Sequence, residues 1–391
     1  MTTTTLLTVP NRDLFNQGIT RSGQPSGVIG STLPGLRNYL ARIDEKQCKH
    51  DYNETPLRHT HVSFADGHML FQIFDRRARG LGEPMLVSRT AASQLANIVL
   101  PPRMHSGMRH LAKQNPTDRR GGEKQATMTW AHLNQTNPAC ETPMLLRTSL
   151  ARVDGKTVRV LRAVVSQSYA RYSHVQYLDD IIRHAPEYAS LEVVNARLTD
   201  NALRFRLVEG GRSVELNTPV PMVEGFNSET GQWSIELRGG TFRLVCTNGM
   251  GSWDTRGHWR RRHTGDMSRI RESVAGGIES VLTATSGVVE AYQAALEVQI
   301  DNAYDYLQAH LSGASVAQRV IDRAQAALTH ETTTPGGRLA SCVDAITLVA
   351  QDESLETQYD LEDLAATILR NGNRVAVENG GRLYAPEVAQ A

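Results

Sequence analysis

The order of its secondary-structure signals constrains the fold of this chain most strongly. From Pro143 to Val245 the sequence repeats short segments rich in Val and Leu, such as KTVRVLRAVVS and ALRFRLVEG, separated by turn residues. This pattern predicts strands joined mainly by hairpins. After Asp266 the apolar residues recur at helical spacing. Strands followed by a run of helices indicate an α+β protein with a central, mainly antiparallel sheet and a long-helix C-terminal half.

The same signals divide the chain into four segments. We predict an N-terminal arm over residues 1–60, with a short helix near Leu36–Ile43, and an α+β core domain over 61–265. A long helical segment over 266–330 and a C-terminal helical segment over 338–391 follow. The length of 391 residues is sufficient for two or three folding units.

Local motifs give predictions for individual elements. Asp66-Gly67 predicts a hairpin turn, and Ser173 is a typical N-cap for the helix that follows it. Residues 114–124 read as an exposed basic loop. The strand 203–207 alternates apolar residues with arginines, which predicts a half-buried strand with one basic face. The long helix is expected to end at Gly313.

The overall composition limits where the protein acts and how it binds polyanions. The formal net charge is +1, so affinity for polyanions must come from local clusters of charge. The four cysteines form no C-x-x-C pair, which is typical of a reducing compartment. The sequence shows no signal-peptide pattern and no apolar run long enough to span a membrane. We therefore expect a cytoplasmic protein that does not associate with membranes.

The strongest functional signal is a basic–aromatic segment near the middle of the chain, which we call the arginine cluster. Guanidinium groups bind phosphates, and an indole among them can stack on bases, so this composition is typical of nucleic-acid binding. Its members are Arg256, His258, Trp259, Arg260, Arg261, Arg262 and His263. The alternative is a solvated turn in which the tryptophan covers the core.

Two further groups of residues extend the predicted surface. Tyr169 and Tyr172 are expected to add stacking platforms, although tyrosines that pack a helix against the sheet would give the same pattern. Arg119, Arg120 and Lys124 of the basic loop are expected to lengthen the phosphate track, with simple solvation as the alternative.

The sequence contains no motif that indicates catalysis or a cofactor. It has no P-loop, no G-x-S-x-G and no H-E-x-x-H. His258 and His263 with Cys246 supply only half of a zinc pattern. We therefore predict no cofactor and no metal site, and we favour a protein that is not an enzyme without deciding the question. Catalysis by residues that are distant in sequence stays open as an alternative.

Two segments resemble a known family. AVVSQSYARYSHVQYLDDI, and FRLVCTNGM followed by HWRRRHTGDM, are similar to elements of the phage- and plasmid-borne proteins grouped as domain of unknown function 932. The resemblance covers about residues 143–311. It implies a cytoplasmic α+β domain from a mobile element, found near recombination and replication genes, and it implies no activity. The recurrent positions of the family correspond here to Arg243, Cys246, Asn248, Gly249, Arg262, His263 and Thr264.

These observations lead to one leading hypothesis and two alternatives. The leading hypothesis is a phage- or plasmid-encoded protein that binds nucleic acid, with single-stranded DNA favoured, for strand annealing in recombination or replication. We expect it to form a homo-oligomer, such as a ring or filament. The first alternative is a self-assembling phage structural or host-interaction protein, with the acidic stretch 352–363 as its partner surface. The second alternative is a metal-dependent nuclease.

Overall fold

The computed structural model describes most of the chain in ten segments, which are residues 31–65, 68–75, 79–100, 119–153, 156–199, 202–209, 219–245, 248–331, 337–379 and 381–383. The α-helices are α1 (Leu33–Gln47), α2 (Arg89–Val99), α3 (Arg119–Thr136), α4 (His174–His184), α5 (Met267–Glu297), α6 (Ala303–Gly313), α7 (Gln318–Glu331), α8 (Leu339–Ala350) and α9 (Leu355–Glu378). Short 3-10 helices cover Leu57–His59, Pro138–Glu141 and Pro186–Ser190.

The strands form two larger sheets and one short pair, and the α+β prediction is confirmed. They are β1 (His50–Pro56), β2 (Thr60–Ala65), β3 (His68–Asp75), β4 (Gly80–Leu81), β5 (Met85–Val87), β6 (Pro143–Val153), β7 (Lys156–Ser166), β8 (Glu192–Leu198), β9 (Leu203–Val208), β10 (Pro219–Asn227), β11 (Ile235–Val245), β12 (Asn248–Arg261), β13 (Gln299–Ile300) and β14 (Arg382–Leu383). Strands β2 and β3 form the hairpin predicted at Asp66-Gly67, whose turn lies outside the described residues.

The first sheet has the order β1-β6-β7-β5-β3-β2, with β4 on β3. Its pairs are antiparallel except for β5 and β7, which run parallel. Helices α2 and α3 bury their apolar faces against it, including Leu95 and Trp130. Helix α3 begins at Arg119, so the prediction of an exposed loop over 114–124 is wrong for its second half. The apolar residues of α3 pack on the sheet, and this tertiary contact outweighs the weak helix propensity of the loop sequence.

The second sheet is a meander with the order β12-β11-β10-β9-β8, and all of its neighbours are antiparallel. One face is apolar and contacts α1, α4 and α5 through residues such as Phe205 and Leu237. Helix α4 begins after the N-cap expected at Ser173. This cap is a capping box, because the side chains of Ser173 and Gln176 each bind the backbone of the other. Helix α1 contains the predicted Leu36–Ile43 helix and lies in the same core.

The opposite face of the second sheet carries charged side chains and is covered by α9. Arg204 and Arg206 are 1% and 0% exposed. Both contact Glu224 of the neighbouring strand and Glu362 of α9. The prediction of a half-buried β9 with a solvent-facing basic face is therefore wrong, since the strand is buried on both faces. Four charged groups form ion pairs with one another there instead of contacting water.

The C-terminal helices form a third core. The second half of α5 packs with α6, α7, α8 and α9 around a shared set of apolar residues. The predicted single helix that ends at Gly313 is interrupted, because Val298 adopts an extended backbone and the short strand β13 pairs with β14. Asn302 then starts α6 by accepting hydrogen bonds from the backbone N–H groups of Tyr304 and Asp305.

Candidate functional site

The strand β12 separates the members of the arginine cluster onto two faces. Its register with β11 pairs Trp259 with Leu237 and Arg260 with Glu236. Because successive side chains of a strand point to opposite faces, Trp259 lies on the apolar face and Arg260 on the charged face. The cluster is therefore divided, and the two halves have different environments.

Trp259 is part of the apolar core between the second sheet and α5. Its indole lies so close to Gly277 that a Cβ atom there would be 2.4 Å from the ring. Tyr172 is 0% exposed, and its hydroxyl donates to Asp180 Oδ2 at 2.7 Å. A base cannot reach the buried Tyr172 ring in this conformation, so the stacking role predicted for it is wrong. Trp259 is half-buried with its indole packed against α5, which matches the alternative that this tryptophan covers the core.

His258 and Arg260 contact a buried carboxylate on the charged face. Glu236 Oε2 lies 3.3 Å from His258 Nε2, and Glu236 Oε1 lies 3.1 Å from Arg260 Nε. Arg260 Nε also donates to Ser234 Oγ at 3.0 Å, yet 60% of its side chain is exposed. Arg260 is thus anchored at its base while its outer guanidinium nitrogens face solvent.

The remaining basic residues of the prediction differ in environment. Arg262 is exposed and forms no ion pair in the part of the chain that the structure describes. Arg261 is half-buried, and its Nε has no hydrogen-bond partner among the described residues. Lys124 is exposed on α3. The side chains of Arg256, Arg119 and Arg120 lie outside the described residues.

An open cleft of about 360 Å³ lies between the ends of β7, β11 and β12. It brings together Tyr169 and the last residues of the arginine cluster. Its lining residues are Val165, Ser166, Tyr169, Gly231, Gln232, Trp233, Ser234, Arg260, Arg262, His263 and Thr264. This volume is in the range of small-ligand sites. Lys124 and Tyr172 are not part of this lining.

Backbone hydrogen bonds join the two segments that build the cleft. Tyr169 and Thr264 form an isolated antiparallel bridge. The N–H of Ala170 donates to the carbonyl of His263 at 3.0 Å, and the N–H of Gly265 donates to the carbonyl of Ser168 at 3.2 Å. These contacts fix the turn that follows β7 against the turn that follows β12. The cleft is therefore preformed by the backbone.

His263 forms a buried wall of the cleft. It is 3% exposed and stacks on Tyr169 with the ring centroids 5.1 Å apart. Neither ring nitrogen has a hydrogen-bond partner of good geometry among the described residues. Burial lowers the pKa of His263 to about 4, and Arg147 adds to this effect, although the carbonyl of Ala170 opposes it. His263 is neutral at pH 7, so it offers one hydrogen-bond donor and one acceptor.

A buried polar loop supports the cleft from behind. Its residues from Asn227 to Thr230 are 0% exposed. Tyr169 donates through its hydroxyl to the carbonyl of Ser228 at 2.9 Å. Glu229 contacts Lys49 Nζ at 2.6 Å and Arg162 Nη1 at 3.2 Å. Burial opposes the ionisation of Glu229, but these cations outweigh it and hold its pKa well below the usual value.

Trp233 is the functional candidate that the sequence prediction missed. It lines the cleft and is half-buried. Phe226 and Tyr359 hold its ring at centroid distances of 5.2 and 5.7 Å. An aromatic residue in the turn-rich segment Gly231-Gln232-Trp233 was the available signal, because such positions more often carry binding than packing roles.

The acidic stretch 352–363, predicted as a partner surface, is largely used within the chain. Glu353 contacts Arg319 at 2.7 Å and Arg323 at 3.1 Å. Glu362 is 0% exposed and holds the arginines of β9. The prediction of a free acidic surface is wrong for these carboxylates, since arginines far away in sequence already neutralise them.

Comparison with known proteins assigns the family. The sequence profile described as "Domain of unknown function (DUF932)" matches residues 163–363, more than half of the chain. The chain belongs to this family. The match starts later and reaches further than the resemblance over 143–311, and it includes every residue that lines the cleft. No curated protein and no solved structure shows a significant match.

The structure also limits the remaining kinds of site. Among the described residues, no three or more His, Cys, Asp or Glu side chains lie close enough to hold a metal ion. Cys246 lies outside this part of the chain. None of the described helices has the length and apolar character that crossing a membrane would require.

Proposed function

We propose that this protein binds a single strand of nucleic acid at the cleft between β7 and β12, with single-stranded DNA as the favoured ligand. The observation that carries the proposal is the exposed guanidinium of Arg262 without an ion-pair partner among the described residues, beside the partly free Arg260. Both line a cleft that also holds the aromatic side chain of Trp233. This combination of cations and rings suits a phosphate backbone with unpaired bases.

The electrostatics of the molecule support local binding. With a net charge of +1, the chain has no general attraction for polyanions. Several arginines of the second sheet are paired with carboxylates, as Arg204 and Arg206 are with Glu224 and Glu362. Arg262 differs from these arginines because it is exposed, lines the cleft and has no ion pair among the described residues. Each phosphate that it neutralises releases counterions and makes binding weaker in salt.

The proposal keeps part of the predicted surface and drops the rest. Arg260, Arg262, His263 and Tyr169 belong to the cleft. A role in strand annealing during recombination or replication, in a host cytoplasm and on a phage or plasmid, is a part of the proposal that rests on the family resemblance. Assembly into a ring or filament is a further part, and it rests on the long helix and the N-terminal arm of the sequence. No contact of the described residues favours the structural or nuclease alternatives.

A gel-shift series tests the proposal. Single-stranded DNA, duplex DNA and RNA of equal length are titrated with the full chain at several salt concentrations. We expect single strands to bind more tightly than the duplex, with affinity falling as salt rises, because only unpaired bases reach the cleft. Equal affinity for duplex and single strands, or affinity independent of salt, would contradict the proposal.

A further inference from the structure

The cleft contains features that phosphate binding alone does not use. His263 is buried, uncharged at neutral pH and without a well-formed side-chain hydrogen bond among the described residues. Trp233 is fixed by two other rings. A buried polar group without a partner is unfavourable by about 1–3 kcal/mol, so such groups usually receive a partner from water or a ligand.

We infer that the cleft is a nucleotide pocket. It binds one nucleotide of the strand, with the base inside the cleft and the phosphate at its rim. This inference rests on the proposed function and names the unit that the same site recognises. The base lies among Trp233, His263 and Tyr169, and the phosphate lies at Arg262 and Arg260 at the rim.

The aromatic wall is suited to a base because it is rigid. Trp233 packs on Phe226 and Tyr359, and the Tyr359 hydroxyl donates to Glu236 Oε2 at 2.8 Å. His263 is held by the Tyr169 ring and by its own backbone bond to Ala170. A wall whose side chains are already ordered loses little entropy when a flat ring enters.

The polar groups match the two ends of a nucleotide. The neutral imidazole of His263 presents one donor and one acceptor, and either can form a hydrogen bond with a polar group on a base. The hydroxyls of Ser166, Ser234 and Thr264 also line the cleft. The guanidinium of Arg262 has donors for a phosphate and no carboxylate partner among the described residues. These two groups therefore discriminate between a nucleotide and a bare phosphate.

A first experiment separates the base from the phosphate. The full chain is titrated with a single-stranded oligonucleotide and with an abasic strand of the same length, in the same salt. The pocket predicts that the intact strand binds roughly five- to 150-fold more tightly, since stacking adds about 1–3 kcal/mol per base. Calorimetry with adenosine monophosphate and inorganic phosphate is the second measurement. Adenosine monophosphate is expected to bind at least about tenfold more tightly.

Two surface variants test whether the cleft is the site. Ser166 is exposed and lines the cleft, whereas its neighbour Gln167 is exposed and does not. Ser166→Phe fills the cleft and is expected to weaken adenosine monophosphate binding at least about tenfold. Gln167→Phe adds the same ring outside the cleft and should leave that affinity unchanged. Thermal unfolding of both variants shows whether they remain folded.

The outcomes distinguish the pocket from strand binding itself. If intact and abasic strands bind alike and adenosine monophosphate binds no better than phosphate, the pocket is wrong while strand binding stands. If the unaltered protein binds adenosine monophosphate but no strand, and Ser166→Phe abolishes the nucleotide binding, the nucleotide pocket is supported and the strand-binding function is wrong. Nucleotide binding that persists in Ser166→Phe overturns the assignment to the cleft.

Discussion

Protonation is unfavourable at two buried histidines, His174 and His263. Burial lowers the pKa of His174 to about 3, and the nearby Lys49 and Arg162 add to this although Glu229 opposes it. Burial likewise lowers the pKa of His263 to about 4. Asn227 Nδ2 lies 3.0 Å from His174 Nδ1, so the neutral ring can accept a hydrogen bond from this amide. Both rings are therefore neutral in the folded protein at pH 7.

This burial predicts a stability that falls in mild acid. The unfolded chain binds these protons near pH 6.5, whereas the folded chain binds them only near pH 4 at His263 and near pH 3 at His174. The free energy of unfolding therefore decreases as the pH falls through this window. For His263 the full effect is on the order of 3 kcal/mol. Denaturant unfolding at several pH values gives the free energy of unfolding as a function of pH. The slope of this dependence should be smaller in His263→Gln than in the unaltered protein. His184→Gln removes an exposed histidine and should keep the slope of the unaltered protein. Equal slopes in all three proteins would contradict the burial argument.

The charged layer under α9 makes a second prediction at the residue scale. Glu362 is 0% exposed and contacts two buried arginines, whereas its neighbour Asp363 is half-exposed and lies 4.0 Å from Arg238. Glu362→Gln removes one of the two carboxylates that balance Arg204 and Arg206, and it is expected to lower the free energy of unfolding by about 3–5 kcal/mol. Asp363→Asn should change it by less than about 1 kcal/mol. Denaturant titration measures both, and similar losses would show that the layer is not an ion-pair network.

At the scale of elements, α5 depends on one close approach. Gly277 faces the indole of Trp259, and a Cβ atom there would lie 2.4 Å from it, while Gly276 has open space around it. Gly277→Ala is therefore expected to destabilise the protein by about 1–3 kcal/mol through overpacking. Gly276→Ala should stabilise it by about 0.5–1 kcal/mol because alanine is the better helix former. Thermal unfolding measures both effects, and the midpoint temperature of Gly277→Ala should be lower than that of Gly276→Ala. A Gly277→Ala variant that is more stable than the unaltered protein would contradict the close contact with Trp259.

Elements with local signals were predictable from the sequence, and elements defined by distant partners were not. The helix after Ser173 and the hairpin of β2 and β3 have capping and turn residues within a few positions of their ends. The burial of Arg204 depends on Glu362, which is 158 residues away in sequence. The break before α6 was missed because apolar residues continue at helical spacing across it, although Asn302 was a readable cap.

At the scale of the whole molecule, the sequence identified both segments of the cleft but not their relation. Tyr169 and His263 each lie in a segment of basic and aromatic residues, and only the fold makes them stack. Side chains alternate between the two faces of β12, and this places Trp259 in the apolar core. The number of arginines and aromatic residues in the segment does not indicate which face each one occupies. The tryptophan that lines the cleft is Trp233 and not Trp259, because the turn before β11 faces the cleft.

The most direct test of the proposed function is the salt dependence of single-strand binding in two arginine variants. Arg262→Gln removes the exposed cation at the rim of the cleft, and Arg374→Gln removes an exposed arginine of α9 that does not line the cleft. Fluorescence anisotropy with a single-stranded oligonucleotide gives the affinity at each salt concentration. We predict weaker binding for Arg262→Gln, with a slope of log affinity against log salt that is smaller by about 0.7, and no change for Arg374→Gln. An affinity and slope of Arg262→Gln equal to those of the unaltered protein would contradict the account.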